Sequence, residues 1–341
     1  DNNDGLVWIK DRDDTKEHYI FDTIRGPEKA LKTATNSTEV TVVSTLTQFL
    51  DNGFELGDRV GVQKNGDKFV AWTFAKAEGY FDVVKYTGDG VDGRLIPHGL
   101  AVEPGMVIVK CTSASEDWTV WHKDIDSNNL KYLMLNETRE ALGGIKAWSD
   151  PATFNDQVFS VNNYGQVNKS GSQYVAYLFA ADTPDVIKCG EYYGTGGNLI
   201  ISCGFKPQFV MLKCTSHSGD WEIYDVKRGN YAVLQPNDTD AESFSNGQGV
   251  SFDYMYDGFE VRGSELNSNQ SGRNYIYVAI AEPPAARSMT QEEYAEQALK
   301  FATYQNRKEV ACGNMAEQQR DSLIQHMADL GYELNDILKY L

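Results

Sequence analysis

Up to Pro283-Pro284, short runs of alternating apolar and polar residues are separated by clusters of Gly, Asn and Asp. This two-residue period predicts half-buried antiparallel strands. One ladder occurs three times: Val7-Trp8-Ile9-Lys10, Val107-Ile108-Val109-Lys110 and Val210-Met211-Leu212-Lys213. A polar stretch and a second strand follow each copy (His18 to Phe21, Trp118 to Trp121, Trp221 to Tyr224). Each unit then closes on Phe69 to Ala75, Tyr174 to Ala180 or Tyr275 to Ala281. Gly53-Phe54-Glu55-Leu56, Val158-Phe159-Ser160-Val161 and Gly258-Phe259-Glu260-Val261 occupy one matching slot. Asn65-Gly66, Lys169-Ser170-Gly171 and Gln270-Ser271-Gly272 lead into the closing strands and read as hairpin turns. A period of roughly 100 residues is too long for a solenoid turn and close to the commonest domain size. The pattern therefore predicts three homologous β modules, over 1–80, 81–185 and 186–284. The first lacks the strand and turn that open the others (81–100 and 186–205), and with Asp1 in first position an N-terminal portion is expected to be missing.

Beyond Pro284 the period changes. Thr290-Gln291-Glu292-Glu293 reads as a capping box opening a helix, and Asn314-Met315-Ala316-Glu317 repeats the signal. Leu323, Ile324, Met327 and Leu330 share one helical face ahead of Gly331, a C-terminal cap. A helical docking or oligomerisation segment is expected over 285–341, because such helices cannot bury their apolar stripe alone.

Composition narrows the function classes. The 341 residues are 41 % hydrophobic, enough to fill several cores, and 30 Gly with 19 Tyr suit short strands joined by tight turns. A formal charge of −18 argues against nucleic acid and anionic membranes, which need clustered Lys and Arg. No apolar run approaches the roughly 20 residues needed to span a bilayer. The 5 cysteines are scattered without CxxC spacing, which argues against a disulfide scaffold or zinc site and for free thiols in a reducing cytosol.

Several motifs carry potential chemistry. Gly88-Asp89-Gly90-Val91-Asp92-Gly93 fits a dinucleotide fingerprint, but Arg94-Leu95-Ile96-Pro97 follows instead of a helix, so a β-turn is expected. Asn36, Asn136 and Asn237 head three sequons at one repeat position, where a local Asx turn is the simpler reading. Asp22 and Arg25 recur as Asp225 and Arg228, while the second module has His122 and Ile125. Each pair is either an ion pair pinning a loop or a bidentate ligand clamp. Trp118 and Trp221 share a position held by His18 in the first module, and are either core or a platform for a sugar ring. Acid pairs such as Asp11/Asp13, Asp124/Asp126 and Asp238/Asp240 arise easily in so acidic a chain. No EF-hand loop, HExxH or GxSxG is present. The expectation is a non-enzyme without metal or cofactor, with Asp22, Arg25, Trp118, Trp221, Asp225 and Arg228 as ligand-binding candidates.

The stretch Leu6 to Arg12, Phe21-Asp22-Thr23-Ile24-Arg25-Gly26 and the closing strands resemble a repeated lectin-like β module of bacteriophage tail fibres and appendages, especially of marine and cyanobacterial podoviruses. Phe81 to Gly88, His98-Gly99-Leu100 and Pro104 to Lys110 match the opening of its second module. The resemblance covers about 1–284. It implies a virion structural protein of the tail appendage, built of tandem antiparallel β-sandwich modules of jelly-roll or concanavalin type. It also implies recognition of host-surface glycans, and it brings no catalytic residues. The expected partners are other tail proteins, reached through the C-terminal helices, and host polysaccharide, with no nucleic acid and no membrane insertion. A homo-oligomer, taken as a trimer, is expected, assembled in the host cytoplasm. Two alternatives stand beside this reading: a capsid decoration or connector without a receptor, and a polysaccharide depolymerase.

Overall fold

A computed structural model describes residues 4–128, 130–144, 146–149, 151–244, 247–252 and 257–282. The expected helical segment over 285–341 lies outside the described residues. The first repeat contains β1 (Gly5–Asp11), β2 (Tyr19–Asp22), β3 (Lys29–Lys32), β4 (Val40–Thr41), β5 (Leu46–Leu50), β6 (Gly53–Leu56) and β7 (Phe69–Ala75). The second contains β8 (Phe81–Thr87), β9 (Arg94–Pro97), β10 (Pro104–Cys111), β11 (Thr119–His122), β12 (Leu133–Met134), β13 (Val158–Val161) and β14 (Gln173–Ala180), with one short helix, α1 (Gly165–Asn168). The third contains β15 (Asp182–Thr183), β16 (Ile187–Tyr193), β17 (Leu199–Ser202), β18 (Pro207–Cys214), β19 (Trp221–Asp225), β20 (Ala232–Val233), β21 (Ser243–Phe244), β22 (Gly249–Ser251), β23 (Gly258–Arg262) and β24 (Asn274–Ala281).

The three repeated ladders, β1, β10 and β18, each pair antiparallel with the closing strand of their own repeat. Five-stranded sheets run β4-β3-β2-β1-β7, β12-β11-β10-β14-β8 and β15-β16-β24-β18-β19. Smaller sheets, β5-β6, β9-β13, β17-β23-β22 and β20-β21, complete a mainly β protein of repeated, sandwich-like antiparallel layers. Registers align the repeats residue by residue: Trp8↔Trp72, Ile108↔Tyr177 and Met211↔Val278 are equivalent pairs. Gly66, Gly171 and Gly272 adopt the left-handed backbone that their turns demand, at φ 93°, 79° and 81°. They connect strands of different sheets and so are not hairpins, contrary to the sequence expectation.

The alternating pattern predicts one wet face per sheet, and here the structure corrects the sequence. Strand β10 is buried at all eight positions. One face of each large sheet packs on its own second layer: Val7, Ile9 and Phe21 on Leu46 and Val62, and Val210, Leu212 and Tyr224 on Val250, Phe259 and Val261. The opposite faces, including Leu6, Trp8 and Phe74, Met106 and Phe179, and Phe209 and Ile280, merge into a single apolar cluster shared by all three repeats. Phe74 lies 5.5 Å from Phe179 and 5.7 Å from Phe209, ring to ring. Lys10, Lys110 and Lys213 show how a polar residue survives in such a strand: each is fully buried and donates only to backbone carbonyls.

Three equivalent backbone bonds close the repeats into a ring. Glu39 N donates to Thr112 O (3.1 Å), Ala141 N to Thr215 O (2.9 Å) and Glu242 N to Arg12 O (2.8 Å). The chain is thus a pseudo-threefold ring around an apolar axis, and the third junction returns to the first repeat.

Candidate functional site

The residues singled out by sequence meet at the junctions of this ring. At the first–second junction, Asp22 and Arg25 form an ion pair whose side chains are 0 % and 2 % exposed. The Tyr177 hydroxyl of the second repeat donates to Asp22 Oδ2 (2.7 Å). Arg25 also donates to the Lys29 and Ile20 carbonyls (2.8 and 3.1 Å) and lies 3.3 Å from Glu39. At the third–first junction, Asp225 and Arg228 repeat the arrangement. Trp72 Nε1 of the first repeat donates to Asp225 Oδ2 (3.0 Å), and Arg228 stacks over the Trp72 ring at 5.4 Å. Glu242 completes the set, bonded to Arg228 (2.9 Å) and to Arg12 (2.7 Å).

The second–third junction explains why His122 and Ile125 break the pattern. The position of Trp72 and Tyr177 is occupied by Val278, which offers no polar hydrogen. The place of Glu39 and Glu242 is taken by Ala141. An Asp–Arg pair there would lose its third and fourth partners, and burying imperfectly paired charges is costly. His122 instead sits 3.1 Å from the Tyr277 carbonyl, and Ile125 joins the apolar cluster. Burial holds the His122 imidazole down to about 4, so it stays neutral. Four positions have changed together from polar to weakly polar or apolar, as one packing unit.

Trp118 and Trp221 are core, 0 % and 1 % exposed. Each reaches across a junction: Trp118 Nε1 donates to Lys32 O (3.0 Å) in the first repeat, and Trp221 Nε1 to Met134 O (3.0 Å) in the second. Neither ring offers a face to a sugar. His18 accepts from Trp8 Nε1 through Nδ1 (3.0 Å), and its buried Nε2 has no partner. Burial, then nearby Lys10, push its pKa well below the ordinary value. The buried lysines are junction pegs as well: Lys110 Nζ donates to Asn36 O (3.2 Å) and Lys213 Nζ to Thr138 O (3.0 Å), and burial brings both down to about 8.

Two of the sequon asparagines, Asn136 and Asn237, bond distant strand starts instead of forming local Asx turns. Asn136 Oδ1 accepts Trp118 N (2.9 Å) and Asn237 Oδ1 accepts Trp221 N (2.8 Å), fixing the start of a strand some twenty residues upstream. The Gly88–Gly93 stretch is the loop between β8 and β9, with Gly90 and Gly93 at φ 73° and 74°, and it is followed by a strand. Cys111, Cys189, Cys203 and Cys214 are free and buried, and Cys312 lies outside the described residues.

Two further features among the described residues stand apart from the junctions. A shallow groove of about 580 Å³ runs between the second and third repeats. It is lined by Lys123 beside Asp124 (2.9 Å), Lys188 beside Asp182 (3.3 Å), Tyr277 and the 61 % exposed Tyr193. In the first repeat, carboxylate oxygens of Asp11, Asp14 and Asp67 lie within 4.8 Å of one another and could hold a metal ion. Lys64 already supplies countercharge there, 3.1 Å from Asp14 and 2.7 Å from Asp67. Asp11 Oδ1 is taken by the backbone amides of Asp13 and Asp14.

Against this geometry, one family matches residues 2–284, which takes in the whole ring. The chain belongs to the family described as Domain of unknown function (DUF7483). No curated protein and no solved structure gives a match. The ring of three repeats is therefore the family's domain as this chain presents it.

Proposed function

We propose that this DUF7483 chain is a non-enzymatic structural protein of a bacteriophage tail appendage, serving as a rigid hub of three interlocked modules of jelly-roll or concanavalin type. The observation that carries the structural role is the use of all six candidate residues in the ring: Asp22, Arg25, Asp225, Arg228, Trp118 and Trp221 hold repeats together. A protein that commits its buried polar groups to joints gains a fixed geometry, which suits a load-carrying particle component. The appendage assignment rests on the resemblance of the repeated motifs, and residues 285–341 are the proposed attachment to other tail proteins or to further copies of the chain.

A second role, contact with host-surface glycan, is favoured by the groove between the second and third repeats. Tyr193 there combines an exposed aromatic face with fringing Lys and Asp side chains, the chemistry of a carbohydrate platform. Immunogold labelling of intact virions with an antibody to this chain tests the first role, and label at the tail is expected. Label over the capsid would make it a decoration protein, and reducing-sugar release from host polysaccharide would make it a depolymerase. For the second role, Tyr193→Ala is expected to abolish binding to host polysaccharide without changing the melting temperature.

A further inference from the structure

At one corner of the first repeat, three positions have changed together relative to its sisters. The loop that leaves β1 meets the turn that enters β7, and Arg12 N donates to Lys68 O (2.8 Å) between them. Strand register makes the corners comparable: Asp11 pairs with Phe69, Cys111 with Tyr174 and Cys214 with Tyr275. The second repeat has Cys111, Ala114 and Ser172 at this corner, and the third has Cys214, His217 and Arg273. The first repeat has Asp11, Asp14 and Asp67, whose carboxylate oxygens lie within 4.8 Å of one another. Asp13, the acid that sequence pairs with Asp11, takes no part in the change. Its Oδ2 accepts Lys68 N (2.7 Å), just as Ser113 Oγ accepts Gln173 N and Ser216 Oγ accepts Asn274 N (both 2.9 Å).

Asp11 is the member that its protein neighbours do not satisfy. It is 0 % exposed, and its Oδ1 accepts the amides of Asp13 (3.0 Å) and Asp14 (3.2 Å). Its Oδ2 is buried and has no hydrogen-bond partner. The sister repeats place a thiol there, which tolerates burial unpaired, beside the hydroxyl of Tyr174 or Tyr275. Phe69 carries no hydroxyl, so Asp11 has no donor from the closing strand. A buried carboxylate oxygen without a partner is costly and calls for an ion or a water. Burial, joined by the like charge of Asp67, raises the Asp11 pKa.

The lysines at the corner do not account for the three acids. Lys64 reaches Asp14 (3.1 Å) and Asp67 (2.7 Å), and Lys16 reaches Asp14 (3.3 Å). Lys10 Nζ is spent on the carbonyls of Asp11 (2.6 Å) and Asp14 (3.1 Å). Among the described residues no cationic side chain forms an ion pair with Asp11. The second repeat keeps a lysine, Lys169, in the place of Lys64 without a single acid at the three positions. A lysine there therefore does not require the acids, and the acids answer to something else.

We propose that Asp11, Asp14 and Asp67 form a calcium site, with Asp11 Oδ2 as its buried ligand. An all-carboxylate set without His or Cys selects a hard cation. A span of 4.8 Å is what two oxygens on opposite sides of one calcium ion occupy, each roughly 2.4 Å from it. Solvent supplies the remaining coordination positions. Lys64, with 40 % of its side chain exposed, competes for Asp14 and Asp67 and swings out when the ion binds. The ion then ties the β1–β2 loop to the turn before β7. The site is independent of the virion reading, because it rests only on the chemistry of this corner.

Calorimetric titration of the full chain with calcium chloride, after EDTA treatment, tests the proposal. One ion per chain is expected, with a Kd on the order of 10⁻⁴–10⁻³ M, and excess calcium should raise the melting temperature. Lys64→Gln, which writes in the residue of the third repeat, should tighten binding about threefold or more by removing the competing charge. Asp11→Cys, Asp14→Ala and Asp67→Ser together write in the residues of the second repeat and should abolish binding with an unchanged circular dichroism spectrum. If that variant does not fold, Asp67→Ser alone, at a partly exposed side chain, should weaken binding about tenfold or more. Absence of both binding heat and a rise in melting temperature, in the parent and in Lys64→Gln alike, would overturn the proposal. Undiminished binding in the acid-depleted variants would also overturn it, by placing the ion elsewhere on this acidic chain.

Discussion

Arg25→Ile tests whether the Asp–Arg joints are energetically central or only decorative. The substitution leaves Asp22 buried without its countercharge and strips donors from the Ile20 and Lys29 carbonyls. Glu39, with 23 % of its side chain exposed, can turn to solvent and adds little. Removing one member of a buried pair costs roughly 3–5 kcal/mol. The second–third junction shows how the same joint is built without the pair, so a rescue can be written in advance: Asp22→His, Arg25→Ile, Glu39→Ala and Tyr177→Phe together. His at 22 can accept from the backbone two residues on, as His122 accepts Asp124 N at 3.2 Å, and can face the Ala176 carbonyl as His122 faces that of Tyr277. Phe at 177 removes the hydroxyl that would lose its acceptor and keeps the ring stacked on Trp118. The fourfold variant is expected to cost at most about 2 kcal/mol, less than the single change. Urea denaturation followed by tryptophan fluorescence reads both, since Trp8, Trp72 and Trp118 lie at the affected core. A fourfold variant unfolding at or below the urea midpoint of Arg25→Ile would refute the interchangeability of the joints.

Trp221→Phe should cost about 1 kcal/mol by losing the bond to Met134 O, and Trp221→Ala about 3–5 kcal/mol by opening a cavity, both read from thermal melts. Glu222 is fully buried beside the Tyr224 hydroxyl (2.7 Å), and burial raises its pKa from 4.5 to about 7. The folded state therefore holds its proton more tightly than the unfolded chain, so this stability is intact below pH 4.5 and lost as pH rises through 7. Glu222→Gln should remove that slope and gain up to about 3 kcal/mol over the parent at pH 8, and a gain at pH 4 instead would contradict the sign. His122 has the opposite sign: its contribution is intact above pH 6.5 and declines as pH falls toward 4, so His122→Phe should flatten the acid side of a stability–pH curve read by urea denaturation. Unfolding of the described region should be a single transition by fluorescence and circular dichroism, because the repeats share one core.

Much of the ring was legible as repetition. The Val-x-x-Lys ladders, the closing strands and the Gly66, Gly171 and Gly272 turns recur in one order at roughly domain-sized intervals, and local pattern dictates local strand and turn. Even the break at His122 and Ile125 was visible, but its cause was not. It lies in Val278, about 150 residues away, and sequence gives no means of knowing that a residue of the third closing strand faces the second strand of the preceding repeat. The same limit hid Tyr177 and Trp72 as donors to Asp22 and Asp225, and left Trp118 balanced between core and platform. Comparing the repeats position by position could have exposed the joint change of Val278, Ala141, His122 and Ile125.

The amino-acid sequence by itself determined the strand content, the threefold repetition and the acidity, all of which follow from period and composition. Tertiary structure alone decided that the central strands of the large sheets are buried on both faces, as β10 is at all eight positions, that the repeats close on a common axis, and that polar residues with the look of a ligand site are its joints. The physical reason is that alternation records which residues can be buried, whereas the second buried face exists only once three modules are packed together.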